Sequence, residues 1–224
     1  LNDTAYIIGG KTQTNSAIDE VWAYAMTTDT WIQKTNLPFG AIWRASATSS
    51  IGFGYLIFGR DELDSFHNEL YEYDVLNDNW TQISNFPATG RSHATLCTIN
   101  NELYVCLGID SLDNSHNDLW RYDIGLGTWN ILPGLPSMGR RGGIGLSNQS
   151  TLYYTTGIDE SNQRLKQTWK YNPSLDVSQI NLNKQNREVT KIVDIIGRET
   201  EDKPNTLLIY IYSDGSSEKV FRIE

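Results

Sequence analysis

The sequence predicts an all-β protein built from copies of one four-stranded unit, and two observations carry that prediction. First, a 49-residue step runs through the chain. It joins Tyr6, Tyr55, Tyr104 and Tyr153, then Gly10, Gly59, Gly108 and Gly157, then Tyr24, Tyr73, Tyr122 and Tyr171, and also Trp31, Trp80 and Trp129. A fixed period of this length marks stacked or radially arranged copies of one supersecondary unit. Second, each unit reads as short β-rich runs separated by turn residues, with no stretch of helical periodicity long enough to compete.

The unit from Arg91 to Pro136 shows the pattern. His93–Ile99 is rich in β-formers, and Asn100-Asn101 is a tight-turn signal. Glu102–Leu107 is a short apolar run closed by Gly108, and the polar stretch Asp110–Asn117 is a loop. Asp118–Tyr122 alternates, Asp123–Gly127 turns, and Thr128–Leu132 is the last run. Four strands at a period near fifty describe a propeller blade.

These residues resemble the kelch motif: an Arg opening the first strand, a Gly doublet ending the second, a Tyr in the third and a Trp in the fourth. Here that pattern reads Arg91, Leu107-Gly108, Tyr122 and Trp129, and only Gly9-Gly10 keeps the full doublet. The expected organisation is propeller blades over 1–172, comprising a partial blade at 1–38, complete blades at 44–87 and 91–136, and a partial blade at 140–172. The expectation is that they belong to a larger propeller. Strictly periodic Tyr and Trp are expected to pack between blades, since a binding site needs asymmetry.

Residues 173–186 read as a polar linker and 187–224 as a small β tail. Lys191–Glu199, with its Asp-x-x-Gly-Arg-Glu, and Leu208–Gly215, with its Tyr-x-Asp-Gly, resemble the C-terminal sorting tails of secreted Bacteroidetes proteins. That resemblance implies a secreted or outer cell-surface location in a Gram-negative bacterium, and contact with the type IX secretion machinery. The other reading is a hairpin that caps the last blade.

The chain carries 27 acidic and 18 basic residues, a net charge of −9. That balance disfavours nucleic acid, which selects clustered Lys and Arg. No run of 18 apolar residues appears, so no membrane span is expected. Cys97 and Cys106 stand on the two arms of one hairpin. A disulfide between them is open in an oxidising compartment. Cys106 shares its repeat position with Ile8, Ile57 and Thr155, which reads as core.

Three sets of residues are candidates for chemistry. Asp61, Asp110 and Asp159, with Asp64 and Asp113, could offer oxygens to Ca²⁺, but no EF-hand spacing occurs and the expected role is turning the loops. His67 and His116 are a periodic pair, expected more for loop packing than for metal. Arg91 and Arg140 open first strands after Pro-x-x-Gly, with Arg44 as counterpart at a two-residue slip and Arg141 as an added charge. The kelch resemblance places such arginines near the funnel, where guanidinium groups clamp carboxylates or acidic sugars, with Trp43 as a stacking face. The ligand-binding set is therefore Trp43, Arg44, His67, Arg91, His116, Arg140 and Arg141. No catalytic constellation, metal set or cofactor is expected. The leading function is a non-catalytic, extracellular binding module for a glycan or protein. The alternative is a carbohydrate-active kelch enzyme of mutarotase or oxidase type, its catalytic groups lying in blades outside this chain.

Overall fold

The computed structural model describes residues 3–148, 150–173, 188–194, 196–213 and 217–221, and the linker expected at 173–186 lies outside them from 174 onward. The chain divides into two compact units, Leu1–Asn172 and Pro173–Glu224.

The first unit is four antiparallel sheets in chain order. The first contains β1 (Thr4–Lys11), β2 (Ala17–Ala25) and β3 (Thr30–Lys34). The second contains β4 (Ser46–Ser50), β5 (Phe53–Ile57), β6 (Glu69–Asp74) and β7 (Asn79–Asn85), and the third β8 (Thr95–Ile99), β9 (Glu102–Cys106), β10 (Leu119–Asp123) and β11 (Thr128–Leu132). The fourth contains β12 (Ile144–Ser147), β13 (Leu152–Thr155) and β14 (Thr168–Tyr171). These are the blades, each a meander of neighbouring strands. Among the described residues the first blade presents second to fourth strands and the fourth blade presents first to third.

The repeat glycine joins successive blades. Gly10 N–H donates to Ile42 O (2.8 Å), Gly59 N–H to Arg91 O (2.8 Å) and Gly108 N–H to Arg140 O (2.9 Å). Gly108 does so at φ 101°, where a side chain is strained. A Cβ there would lie 2.9 Å from Ala94 Cβ and 3.0 Å from Ser92 O. The residue before the glycine also takes a positive φ, even where it is Phe58 (65°), Leu107 (66°) or Thr156 (61°). Buried packing holds Phe58 and Leu107 in that strained geometry.

From the second blade on, the aromatic series packs between blades, whereas Trp31 of the first blade is exposed. Tyr73 and Trp80 are buried against the first blade, where the Trp80 indole donates to Thr35 O (3.3 Å). Tyr122 and Trp129 pack against the second blade, with Trp129 Nε1 donating to Ser84 Oγ (3.0 Å). Rings of this size stabilise by about 2 kcal/mol or more on burial, and a bonded polar tip removes the penalty of hiding it. Cys97 and Cys106 are free thiols in the core between the third and fourth blades. The register sets Cys97 opposite Tyr104 and Cys106 opposite Thr95, so the thiols are diagonal neighbours. Burial pushes the Cys97 pKa up to about 11, which suits an inert core residue.

In the second unit β15 (Val189–Val193), β16 (Leu207–Tyr212) and β17 (Ser217–Phe221) form one antiparallel sheet. The first strand ends at Val193 because the Asp194 carboxylate accepts from Ile196 N and Arg198 N (3.0 Å each), and Gly197 turns at φ 87°. The Asp-x-x-Gly-Arg stretch is thus a capped turn, with Arg198 Nε also on Asp194 Oδ2 (2.9 Å). Asp214 and Gly215 lie outside the described residues.

Two glycine substitutions separate strain from close approach. At Gly10, φ is 121° but nothing lies within 4 Å of an added Cβ. Gly10→Ala should cost about 1 kcal/mol of strain, whereas Gly108→Ala should cost more than about 2 kcal/mol. Urea unfolding of both variants checks this, and an equal loss in the two would contradict the close-approach argument.

Candidate functional site

The glycine link fixes where the next residues point. One residue past each link, Trp43 bridges Arg60, Ser92 bridges Ile109 and Arg141 bridges Ile158. One residue further, Arg44 (φ 58°), His93 (φ 55°) and Gly142 (φ 62°) turn the chain. Their backbones connect across blades, His93 N–H donating to Arg44 O (3.2 Å) and Gly142 N–H to His93 O (3.0 Å). Arg44, Arg60, His93 and Arg141 consequently converge on an open cavity of about 430 Å³, with Ile109 in its wall and Asp113, Glu160 and Asn162 also lining it.

Polar contacts orient these groups. Arg60 Nε donates to Ser92 Oγ (3.2 Å), and that hydroxyl lies 3.1 Å from His93 Nδ1. Arg141 Nη2 donates to Asn162 Oδ1 (2.8 Å). Arg44 and Lys11 each sit against the Trp43 ring, at 3.9 and 3.8 Å from its centroid, so one indole holds two cations. The guanidinium charges are under-neutralised. Burial lowers the Arg44 pKa, and repulsion from Arg60 and Arg141 adds to that. Burial and the charges of Arg44, Arg60 and Arg141 pull the His93 pKa down from 6.5 to about 4. At neutral pH the site therefore presents three fixed positive charges beside a neutral imidazole. That arrangement suits an anion with planar oxygens, which guanidinium binds through paired hydrogen bonds.

The structure brings together only part of the set expected from sequence. Arg44 and Arg141 line the cavity, and Trp43 stands behind it against Arg44. Arg91 and Arg140 are not: both are fully buried inside their own blades. Arg91 makes two bonds to Asp118 (2.7 and 2.6 Å) and one to Leu107 O (3.2 Å). Arg140 bonds Thr156 O (3.0 Å), Gln167 Oε1 (3.1 Å) and Ser137 Oγ. They tie the strand opening to the third strand and have no face left for a ligand. The reading of Arg44 as their counterpart is also corrected. The 49-residue step holds without a slip, so Ile42 occupies the position of Arg91 and Arg140, and Arg44 that of His93 and Gly142.

His67 and His116 belong to the loops. His116 Nε2 lies 3.2 Å from Asp110 Oδ2, and His67 contacts Glu69 (3.3 Å) and Asp61 (3.7 Å). Those aspartates cap their own turns: Asp61 Oδ1 accepts from Leu63 N and Ser65 N, and Asp110 Oδ1 from Leu112 N and Asn114 N. Asp64, Asp113 and Asn162 take φ near 60°, the conformation those residues tolerate. Among the described residues no group of three or more His, Cys, Asp and Glu gathers to hold a metal. Arg60 and His93 are the cationic and imidazole groups of the cavity that the ligand-binding set from sequence leaves out. The signal for both was positional, since Arg60 follows a link glycine and His93 keeps step with Arg44.

Comparison with known proteins agrees with this architecture. Residues 1–185 match the KLHDC2/KLHL20/DRC7 Kelch-repeats domain. Comparison with curated protein sequences gives no match. The solved structure of YjhT superposes with a TM-score of 0.66 at 14% identity, covering 94% of this chain and 69% of that one, a likeness of fold.

The half-buried His93 makes stability depend on pH. Its folded pKa lies below the unfolded value of 6.5, so the unfolded chain takes up the proton first and stability falls as pH drops from 6.5 toward 4. His93→Gln should flatten that part of a Tm-versus-pH curve, and an unchanged slope in the variant would contradict the assignment.

Proposed function

The chain belongs to the kelch-repeat family, and from that premise we propose that it is a binding module for a carboxylate-bearing glycan or protein segment, held at Arg44, Arg60 and Arg141. One observation carries this reading. In a chain of net charge −9, three guanidinium groups converge on one open cavity beside a neutral imidazole. Their mutual repulsion is relieved when an anion enters, so charge neutralisation adds to the hydrogen bonds. The His93 ring offers a flat surface beside the clamp, and Asp113 and Glu160 can accept from ligand hydroxyl or amide groups.

A second reading, a carbohydrate-active enzyme, has one observation in its favour: His93 is a free base at neutral pH next to the clamp. It requires a substrate that turns over and a rate that His93→Gln abolishes.

For the second unit the proposal is a sorting tail that directs export to the cell surface through the type IX machinery. Its support is the Asp194–Glu199 motif, folded as a capped turn between β-strands. Fusing residues 187–224 to a reporter in a Bacteroidetes host and assaying surface display tests it, and retention of the reporter in the periplasm would overturn it.

Calorimetric titration with glucuronate, and with a short peptide as free acid and as amide, tests the binding reading. Each of Arg60→Ala and Arg141→Ala should weaken carboxylate binding by roughly tenfold to a hundredfold, the worth of one charge-assisted contact. Binding should also weaken with added salt. Equal affinity for acid and amide forms, or arginine variants that bind as well as the parent, would reject the carboxylate clamp.

A further inference from the structure

The residue one place after each glycine link is Trp43, Ser92 or Arg141, and Ser92 alone is small and hydroxylated. It is fully buried, between two residues that line the arginine cavity, Arg60 and His93. All three belong to the second and third blades, the two described with four strands each. The equivalent contact one blade earlier is Lys11 over the Trp43 ring (3.8 Å), a cation resting on a ring face. Only at Ser92 does the contact become a hydrogen-bonded relay.

The protons around Ser92 fix the state of its neighbour. Arg60 Nε can only donate, and it donates to Ser92 Oγ (3.2 Å). The stack of its guanidinium on the Phe66 ring (4.2 Å) holds it in that direction. The hydroxyl's own proton must then find an acceptor other than Arg60. Among the described residues, the one other polar atom within reach of Ser92 Oγ is His93 Nδ1, at 3.1 Å. A buried hydroxyl proton left without an acceptor is costly, so it goes to Nδ1, and Nδ1 carries the lone pair. Burial and the charges of Arg44, Arg60 and Arg141 keep the ring neutral, so its single proton sits on Nε2. Nε2 is accessible and has no hydrogen-bond partner among the described residues, and the ring lines the cavity.

We propose that Ser92 is a positioning residue that holds His93 with its Nε2–H presented to the arginine cavity, where the imidazole donates to an acceptor oxygen of the bound anion. This rests on the carboxylate-binding reading and narrows its ligand. At His93 the ligand presents an oxygen lone pair, from a carboxylate, a carbonyl or a ring ether. An ammonium or amide N–H there would meet a second donor. An Nε2–H imidazole also has no lone pair toward the cavity with which to take a proton from a ligand, which counts against a catalytic base.

Long-range proton–nitrogen correlation spectra of the whole chain, labelled at histidine nitrogen, test the relay without ligand. The chain has three histidines, and His93→Gln assigns the signal. The expected spectrum at neutral pH shows His93 protonated on Nε2 and bare on Nδ1, and Ser92→Ala should turn this into a mixture of both tautomers. A His93 protonated on Nδ1 in the parent, or a tautomer that Ser92→Ala leaves unchanged, would overturn the proposal. Titration with glucuronate tests the donor. His93→Ala should weaken binding about tenfold, and His93→Gln, which restores an N–H, should recover most of that loss. Equal losses in the two variants, or none in either, would also overturn it. A parent chain that does not bind glucuronate rejects the carboxylate reading, while the ligand-free spectra decide the relay by themselves.

Discussion

The backbone hydrogen bond from a repeat glycine to the residue that opens the next blade is the constraint on which the rest of the first unit depends. It recurs as Gly10 to Ile42, Gly59 to Arg91 and Gly108 to Arg140, at 2.8–2.9 Å. A left-handed residue precedes the glycine at each link, and at Gly59 and Gly108 neighbouring atoms lie too close for a Cβ. Once made, the bond sets the next two residues at the centre of the blades. The architecture and the cavity thus share one cause, and the chemistry of the cavity depends on which side chains fall one and two places after each link.

Arginine plays two roles that its chemistry alone does not separate. Arg91 is desolvated but paired twice with Asp118. Burial by itself raises the Asp118 pKa, and the hydrogen bonds and charge of Arg91 more than reverse that, leaving it low. Removing one partner of such a pair strands the other and typically costs about 3–5 kcal/mol, so Arg91 serves the blade. Arg44, Arg60 and Arg141 instead keep guanidinium edges toward an open cavity, with only partial neutralisation from Asp64, at 3.8 Å from Arg60, and from Asp113 and Glu160. Where Ile42 replaces the buried arginine, Glu69 at the position of Asp118 turns to His67 and the Asn68 amide.

The blades were legible because the aromatic and glycine steps are set by inter-blade packing, which every copy must satisfy. Trp80 and Trp129 donate to the preceding blade at Thr35 and Ser84, positions one period apart, so the sequence period is a contact period. The loop aspartates were legible for a similar reason, since each caps its own turn. The cavity was legible only in part. Pairing Arg44 with Arg91 on side-chain identity required a two-residue slip that the backbone does not make. Strict register would have set Arg44 beside His93 and left Arg91 beside Ile42. A ligand site built on a repeat is asymmetric, and asymmetric residues carry no period to betray them. In the second unit the first strand ends at Val193, where the Asp194 carboxylate caps the turn that follows.

The central claim is that register, not residue type, decides which arginines meet a ligand. The most direct test follows the side-chain Nε resonances of all arginines in a nitrogen-labelled sample during titration with glucuronate. The account predicts that Arg44, Arg60 and Arg141 shift together while Arg91 and Arg140 stay in place. Movement of Arg91 or Arg140 with a silent Arg60 and Arg141 would contradict it.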